Sequence, residues 1–593
     1  MGTLVGGGFS GSDNKIALAV HLFSSAFGMN GLRWFMPTIV SNLITKEESM
    51  TNSESKQVVA HYDSVIIGAG FAGIRASYEM GKLGKTCKVY EQGSDVGGTW
   101  YWNRYPGART DTEAWGYCFF FSKELNDEWD WSERMPTWEQ VQQYMVFAVD
   151  RLNLREKMEF NTTVTSAHYN EKENLWYITT DQGETVTCHY FISGMGWFEV
   201  PCKPDFKGID SFKGEWYLPS RWPKEPVDFK GKRVGIIGSG STAVQIMVAV
   251  SQLADHVSIF QRTPNYVMPG RNYPVDSYEN ERKKQDFDQI IEQTRKQVYA
   301  FPMDDATVAF DDVDEQERER IFEAGWEAGG FRFIFETFSD ITTNLVANEA
   351  ACEFVRKKIR SIVKDQKTAG LLCPHYPIAL KRPPVCNFYY ESFNRPNVEL
   401  VDVSSSPIKE IVENGVVVGD QLHEFDILIF AMGYDAVTGP LMNFDVRGVD
   451  GQTIAQRWEA GPQTHLGITI DGFPNMFILT GPQTPFSNVP PVTESAVSWI
   501  SKLITHMEEK GLNKVEPKPE AVSNWGLLMS ELLEPTLMRH GASQRSWFMG
   551  ANIPGKPQVP LFYFGGAGNY FKEIDQEADS SFPSYEFTSA GDA

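Results

Sequence analysis

Val65-Ile66-Ile67-Gly68-Ala69-Gly70-Phe71-Ala72-Gly73 is the stretch on which the reading of this chain turns. An apolar run leading into glycines at GxGxxG spacing, with a helical pattern over residues 74–83, spells strand, tight turn and helix. The next strand closes on an acid, Glu91. In a dinucleotide-binding βαβ unit the glycines let the backbone approach a pyrophosphate, which rests on the helix N-terminus. An acid about twenty residues on accepts hydrogen bonds from a free ribose. The pattern returns further along as Val234-Gly235-Ile236-Ile237, then Gly238-Ser239-Gly240-Ser241-Thr242-Ala243 and a helical pattern over residues 244–253. Its following strand ends at Gln261-Arg262-Thr263, and an arginine there suits a 2′-phosphate. The pair therefore reads as one site for FAD, with Gly68, Gly70, Gly73 and Glu91, and one for NADPH, with residues 238–243, Arg262 and Thr263. One such turn alone is also the spelling of an ordinary loop; two, each with a fitting strand end, point to flavin redox chemistry fed by a nicotinamide.

The bulk properties agree with a large globular enzyme. A chain of 593 residues exceeds one ordinary core and predicts two or three domains. Its 42% hydrophobic and 13% aromatic content is that of a well-buried protein. A net charge of −23 argues against nucleic acid or an anionic membrane as main partner, so bases should gather where cofactor phosphates lie. The 7 cysteines form no CxxC pair, which predicts reduced thiols in a cytoplasmic setting. The 10 histidines show no paired-ligand spacing, so no metal site is expected.

Residues 1–58 read as an N-terminal arm and linker. Residues 16–32 are uncharged but short for a membrane span, and Asp13 with no cluster of bases does not suit a secretory signal. Gly6 stands where a myristoylation motif needs Ser or Thr. His21, Ser24, Ser25, Gly28 and Gly31 make a small polar stripe on an otherwise apolar helix. Two readings stand: an arm packed on its own enzyme or a partner subunit, and an interfacial helix giving peripheral membrane contact through residues 16–44. Residues 46–60 look like a polar linker.

The order of parts predicts an α/β fold: two Rossmann-like dinucleotide-binding domains with a helical insert in the second. Residues 59–198 are the first part of the FAD-binding domain. Residues 199–424 are the NADP-binding domain, with the insert at about 275–365, where residues 279–299 and 314–331 have helical, charge-rich patterning. Residues 201–226, rich in proline and aromatics, connect the two. The strand at 425–431 opens residues 425–593, the second part of the FAD-binding domain and the C-terminal region. A ligand cleft is expected at the domain junction.

A longer run is more specific: Gly97-Gly98-Thr99-Trp100-Tyr101-Trp102-Asn103-Arg104-Tyr105-Pro106-Gly107-Ala108-Arg109-Thr110-Asp111. It closely resembles the type I Baeyer–Villiger monooxygenases, FAD- and NADPH-dependent enzymes that use O2 to convert ketones to esters or lactones. The stretches around Arg262, Lys381-Arg382, Ala431-Met432-Gly433-Tyr434-Asp435, Gly481-Pro482-Gln483-Thr484-Pro485-Phe486 and Trp547 to Lys556 agree in order and spacing, over about residues 60–570. One position departs. The family fingerprint FxGxxxHxxxW(P/D) is met at Phe212, Gly214, Trp222 and Pro223, but Leu218 stands where the histidine belongs. Leucine packs, but it neither hydrogen-bonds nor changes charge.

The resemblance implies roles residue by residue. Arg382 is the catalytic guanidinium, a fixed positive charge beside the flavin, and Asp111 orients it; by themselves these also read as a surface arginine and a turn-capping aspartate. Lys381 joins Arg262 and Thr263 on the 2′-phosphate. Thr99, Trp100, Tyr101, Trp102, Arg109, Thr110, Tyr117 and Val164 fall along FAD, although aromatics such as Trp100 and Tyr117 are otherwise core. Trp547 matches a mobile-loop tryptophan that closes over nicotinamide and substrate; without the resemblance it is a packed surface aromatic. The implied substrate is a hydrophobic ketone, of the kind found in secondary metabolism. A second reading, resting on Leu218, is the same scaffold turned to an oxidase, a heteroatom oxygenase or a non-oxygenating catalyst. A third, a flavin-bound binding protein, gives no reason for keeping Arg382, Asp111 and Lys381 together.

Overall fold

The computed structural model describes residues 59–589. The N-terminal arm, with the membrane contact expected at 16–44, lies outside the described residues. In the first sheet β1 (Ala60–Ile67) lies between β2 (Cys87–Glu91) and, on its other side, β6 (Thr185–Ser193), both parallel to it. β3 (Met158–Phe160) extends beyond β2, and β4 (Val164–Asn170) and β5 (Leu175–Thr180) run as an antiparallel meander into β6. Val65 and Ile66 are fully buried, as a parallel strand covered on both faces requires. The helix Phe71–Lys82 follows the first glycine turn at once.

The second sheet is all parallel. β7 (Glu215–Tyr217), β8 (Arg233–Ile237), β9 (His256–Gln261) and β10 (Val398–Asp402) are joined by a fifth strand from further along the chain. A separate meander, β11 (Ile408–Val412), β12 (Gly415–Val418) and β13 (Gln421–Glu424), packs Ile411 and Val416 against Phe260, Leu428 and Phe430 of that sheet. The fifth strand is β14 (Ile427–Phe430), which pairs with β8 on one side and β7 on the other. This corrects the expected return at residue 425. A run of four buried apolar residues suits the centre of either parallel sheet, and its pattern does not say which one it joins. The return to the first sheet comes with β15 (Asp445–Arg447) on β4 and β16 (Met476–Ile478) on β6. β7 shows in turn that part of the expected connection, 201–226, is the edge of the second sheet.

Between β9 and β10 lie the helices Ser277–Gln285, Phe287–Lys296, Glu315–Ala328, Leu345–Ile362 and Gln366–Leu372. Their starts are marked in the sequence: Asp276, Asp314, Asn344 and Asp365 each accept a first-turn N–H. The helical run expected over 279–299 is two helices meeting at Asp286. The first is polar nearly all round, whereas the second buries Phe287, Ile290 and Thr294, so the axis turns to seat that face. Phe310, Phe322, Trp326, Phe333, Phe338 and Phe354 pack on one another within the core that the insert shares with the second sheet. All seven cysteines are unpaired, five of them buried. No helix among the described residues is long and apolar enough to cross a membrane.

Candidate active site

Both glycine turns open on one cavity of about 1270 Å³, larger than the roughly 300–1,000 Å³ of an ordinary small-molecule site. Each turn follows the carboxyl end of a strand whose neighbours leave to opposite sides, the place where open α/β sheets bind ligands. A methyl group at Gly73 would stand 1.8 Å from the Gly68 carbonyl oxygen, so only glycine lets the helix Phe71–Lys82 lie this close to the turn. A methyl at Gly238, whose φ is +131°, would meet the Ala431 carbonyl oxygen at 2.2 Å. At Gly240 it would meet nothing within 4 Å on the protein side: the space there is the cavity.

Glu91 is buried, and its carboxylate accepts from the N–H of Ala69 at 2.8 Å and of Gly93 at 2.7 Å. Burial raises its pKa, against the lowering effect of those two donors. Each oxygen accepts one of these bonds and has capacity for another, and Glu91 lines the cavity, which suits a diol such as ribose. At the second turn the Ser239 hydroxyl donates to the Thr263 carbonyl at 2.7 Å, tying the turn to the end of β9. Arg262 and Lys381 stand beside it on the wall. Burial, then the charges of Arg262 and Arg545, pull Lys381 down to about 8. Arg262 is lowered by burial and by Arg545.

Arg382 is ion-paired with Asp111, with 28% and 17% of their side chains exposed, and its guanidinium lies 5.4 Å from the Phe331 ring centre. Both line the cavity between the two turns. So do Thr99, Trp100, Trp102, Arg109, Thr110, Tyr117, Val164, Ser241, Thr242, Thr263 and Trp547. Trp100 donates from its indole to the Tyr117 hydroxyl at 3.2 Å, and Arg221 covers the Trp102 ring at 4.4 Å. Arg109 is paired with Glu133 at 2.7 Å.

Three of the expected cofactor residues do not line the cavity. Gly73 serves the packing just described. Ala243 is 1% exposed in the core of the second unit. Tyr101 turns away: its hydroxyl accepts from the Ser94 N–H at 2.8 Å and its ring lies under the Arg104 guanidinium at 4.4 Å. In a four-residue helix such as Thr99–Trp102 successive side chains leave about 100° apart, so one turn cannot face a single ligand.

Phe301, Phe331 and Phe335, which the insert sends to the cavity, carry no signal in the sequence pattern; Phe486, which joins them, lies in the expected pocket-lining stretch 485–491. Tyr105 donates to Gln245 at 3.0 Å, and a methyl at Gly107 would touch the Gln245 carbonyl at 2.7 Å, so the helix Ser241–Val250 rests directly on the 97–111 run. Trp547 packs on Phe562 at 5.4 Å and Phe198 at 5.7 Å. Asn552 donates to the Tyr434 carbonyl at 2.9 Å, and Lys556 is ion-paired with Asp435, so two separately quoted runs meet here. The buried carboxylate of Glu91, which accepts, and the cations Arg262 and Lys381, which donate, fit a ribose and a phosphate respectively, as two dinucleotides need.

Residues 61–301 match the family model described as flavin-binding monooxygenase-like. The chain is 43% identical over 539 residues to a Baeyer–Villiger monooxygenase of Pseudooceanicola batsensis, covering 90% of this chain and 98% of that protein. Its fold superposes on cyclohexanone monooxygenase from Rhodococcus sp. Phi1 bound to NADP+ with a TM-score of 0.87 and 40% identity, over 90% of this chain and 100% of that one. It likewise superposes on OTEMO in complex with FAD and NADP, with a TM-score of 0.86 and 37% identity, over 89% and 99% of the two chains. With two nucleotide turns on one cavity and relatives along nearly its whole length, the chain belongs to the Baeyer–Villiger monooxygenases and is an FAD- and NADPH-dependent flavoprotein monooxygenase.

Proposed function

We propose that this enzyme inserts one oxygen atom of O2 beside the carbonyl of an apolar ketone, giving an ester or lactone, with water and NADP+ as the other products. The observation that carries this is the Arg382–Asp111 pair on the cavity wall between the two turns, with Phe331 against the guanidinium and Phe301, Phe335 and Phe486 beside it. Bound FAD, reduced by NADPH, supplies the electrons and activates the oxygen. Around it, in this reading, Glu91 holds the FAD ribose and the N–H groups of the first turn meet its pyrophosphate. The second turn does the same for NADP, with Arg262, Lys381 and Thr263 at the 2′-phosphate.

The Arg382 guanidinium offers several donors to oxygen atoms as negative charge gathers on them. Asp111 holds that guanidinium in one orientation. Phe486 and Trp547 on the cavity wall, packed on the buried Phe562, keep water from the reacting atoms. Cyclohexanone, named for a relative, is an apolar ketone, the chemistry such a wall suits. The seven unpaired thiols suit a cytoplasmic enzyme. In the same reading the first sheet, with β15 and β16, is the FAD-binding half and the second sheet the NADP-binding half.

The test is turnover with NADPH and 18O2 against cyclic and open-chain ketones. Esters or lactones carrying one labelled atom are expected, in proportion to NADPH consumed. Consumption of NADPH with only peroxide released from every ketone would overturn the reading.

A further inference from the structure

We propose that Arg545 is a third ligand for the 2′-phosphate of NADP, added to Arg262 and Lys381, and that it helps set the preference for NADP over NAD; this rests on the reading of Arg262 and Lys381 as the phosphate site. All three side chains line the same cavity as Ser239, Gly240 and Thr263. They come from three distant parts of the chain: the end of β9, the segment after the helical insert, and the turn just before Trp547.

The three cations repel one another, and among the described residues none of them is ion-paired with an acid. The charges acting on Lys381 are those of Arg262 and Arg545, and the charge acting on Arg262 is that of Arg545. In a chain with 77 acids and 54 Lys and Arg residues, an acid is the easy neighbour for a base, as Arg109–Glu133, Arg221–Glu199 and Lys556–Asp435 show. A wall of three bases without one is built for a dense anion. A phosphate monoester carries close to two negative charges at neutral pH and three acceptor oxygens. Two guanidinium forks and one ammonium supply donors for all of them, while a bare ribose hydroxyl, as in NAD, gives the three charges nothing to offset.

The backbone is consistent with a side chain that is used. Arg545 sits at φ +53°, between the 3₁₀ turns Ala542–Gln544 and Trp547–Met549, a left-handed conformation that strains any residue with a side chain. The turn is fixed by the Arg545 N–H on the Ala542 carbonyl and the Ser546 N–H on the Gly541 carbonyl, both at 3.0 Å. Glycine would relieve that backbone, so Arg545→Gly removes the charge without adding strain.

The experiment is calorimetric titration of the FAD-loaded enzyme with 2′,5′-ADP and with 5′-AMP, nucleotides that differ only in the 2′-phosphate. Losing one charge-assisted contact is expected to weaken 2′,5′-ADP binding roughly ten- to hundred-fold in both Arg545→Ala and Arg545→Gly. Binding of 5′-AMP should not change, and Arg545→Lys should recover part of the loss. If both variants bind 2′,5′-ADP like the parent while Arg262→Ala loses it, Arg545 is not a ligand and the proposal fails alone. Equal weakening of both nucleotides would overturn it too. If Arg262→Ala and Lys381→Ala also bind unchanged, the phosphate site itself has been misread.

Discussion

Arg382 and Lys381 are adjacent in sequence and have different tasks in the proposed function, which makes their substitution informative. Arg382→Ala removes the fixed charge at the proposed reacting centre, and product formation is expected to fall about 10²–10³-fold. FAD content, read from the visible absorbance, should stay at the parental level, because Arg382 pairs with Asp111 and supports no strand or helix. Lys381 predicts a pH dependence. Burial and two neighbouring cations disfavour its charged form, bringing it to about 8, whereas a phosphate partner selects that form. Affinity for NADP+ is therefore full below pH 8 and declines above it, with proton uptake on binding. Calorimetry between about pH 6.5 and 9.5 should show the decline, and Lys381→Arg, charged throughout, should flatten it. The adjacency of the pair was plain from the sequence. That Arg545 would join one member of it was not, since nothing near residue 545 in the chain marks a phosphate.

At the scale of elements the two glycine turns separate packing from access. Gly73→Ala would set a methyl against the Gly68 carbonyl, and poor folding with loss of FAD is expected, visible as colourless, early-melting protein. Gly240→Ala has open space on the protein side, so the fold and FAD should survive while NADP+ affinity drops, because the methyl occupies the approach to the helix N-terminus. Both turns were legible in the sequence because a strand, a glycine spacing and a helix agree locally. β14 was legible as a strand but not as a member of the second sheet, since its partners β7 and β8 lie some 200 residues earlier in the chain. Leu218 shows the same limit. It follows β7 and packs with Phe206, Ile209 and Phe212 against Ile237 and Phe430, and it is not among the cavity residues. Leu218→His should therefore cost stability, about 1–3 kcal/mol for a poorly partnered ring nitrogen, seen as earlier melting, with product formed per NADPH unchanged. A many-fold rise in that ratio would show that the position governs coupling after all.

Across the whole molecule the cavity is assembled from both sheets, the helical insert and the C-terminal turns, and few of those meetings could be read in advance. The resemblance named the runs 431–435 and 547–556; only the fold brings Asn552 to Tyr434 and Lys556 to Asp435. Lys556→Ala leaves Asp435 without its ion pair and loosens the segment that carries Arg545 and Trp547. Faster proteolytic cleavage within residues 541–556 is expected, with NADP+ giving back part of the protection. The same assembly bears on how long the enzyme lasts. With no ketone at hand, bound reduced flavin would give its electrons to oxygen as hydrogen peroxide, and thiolates are the first protein groups such an oxidant attacks. Five of the seven thiols are buried, and Cys202, the one on the cavity wall, is kept protonated by burial and by Asp435. Idle turnover should thus spare the cysteines and mark instead the thioethers of Met195 and Met432 on the cavity wall.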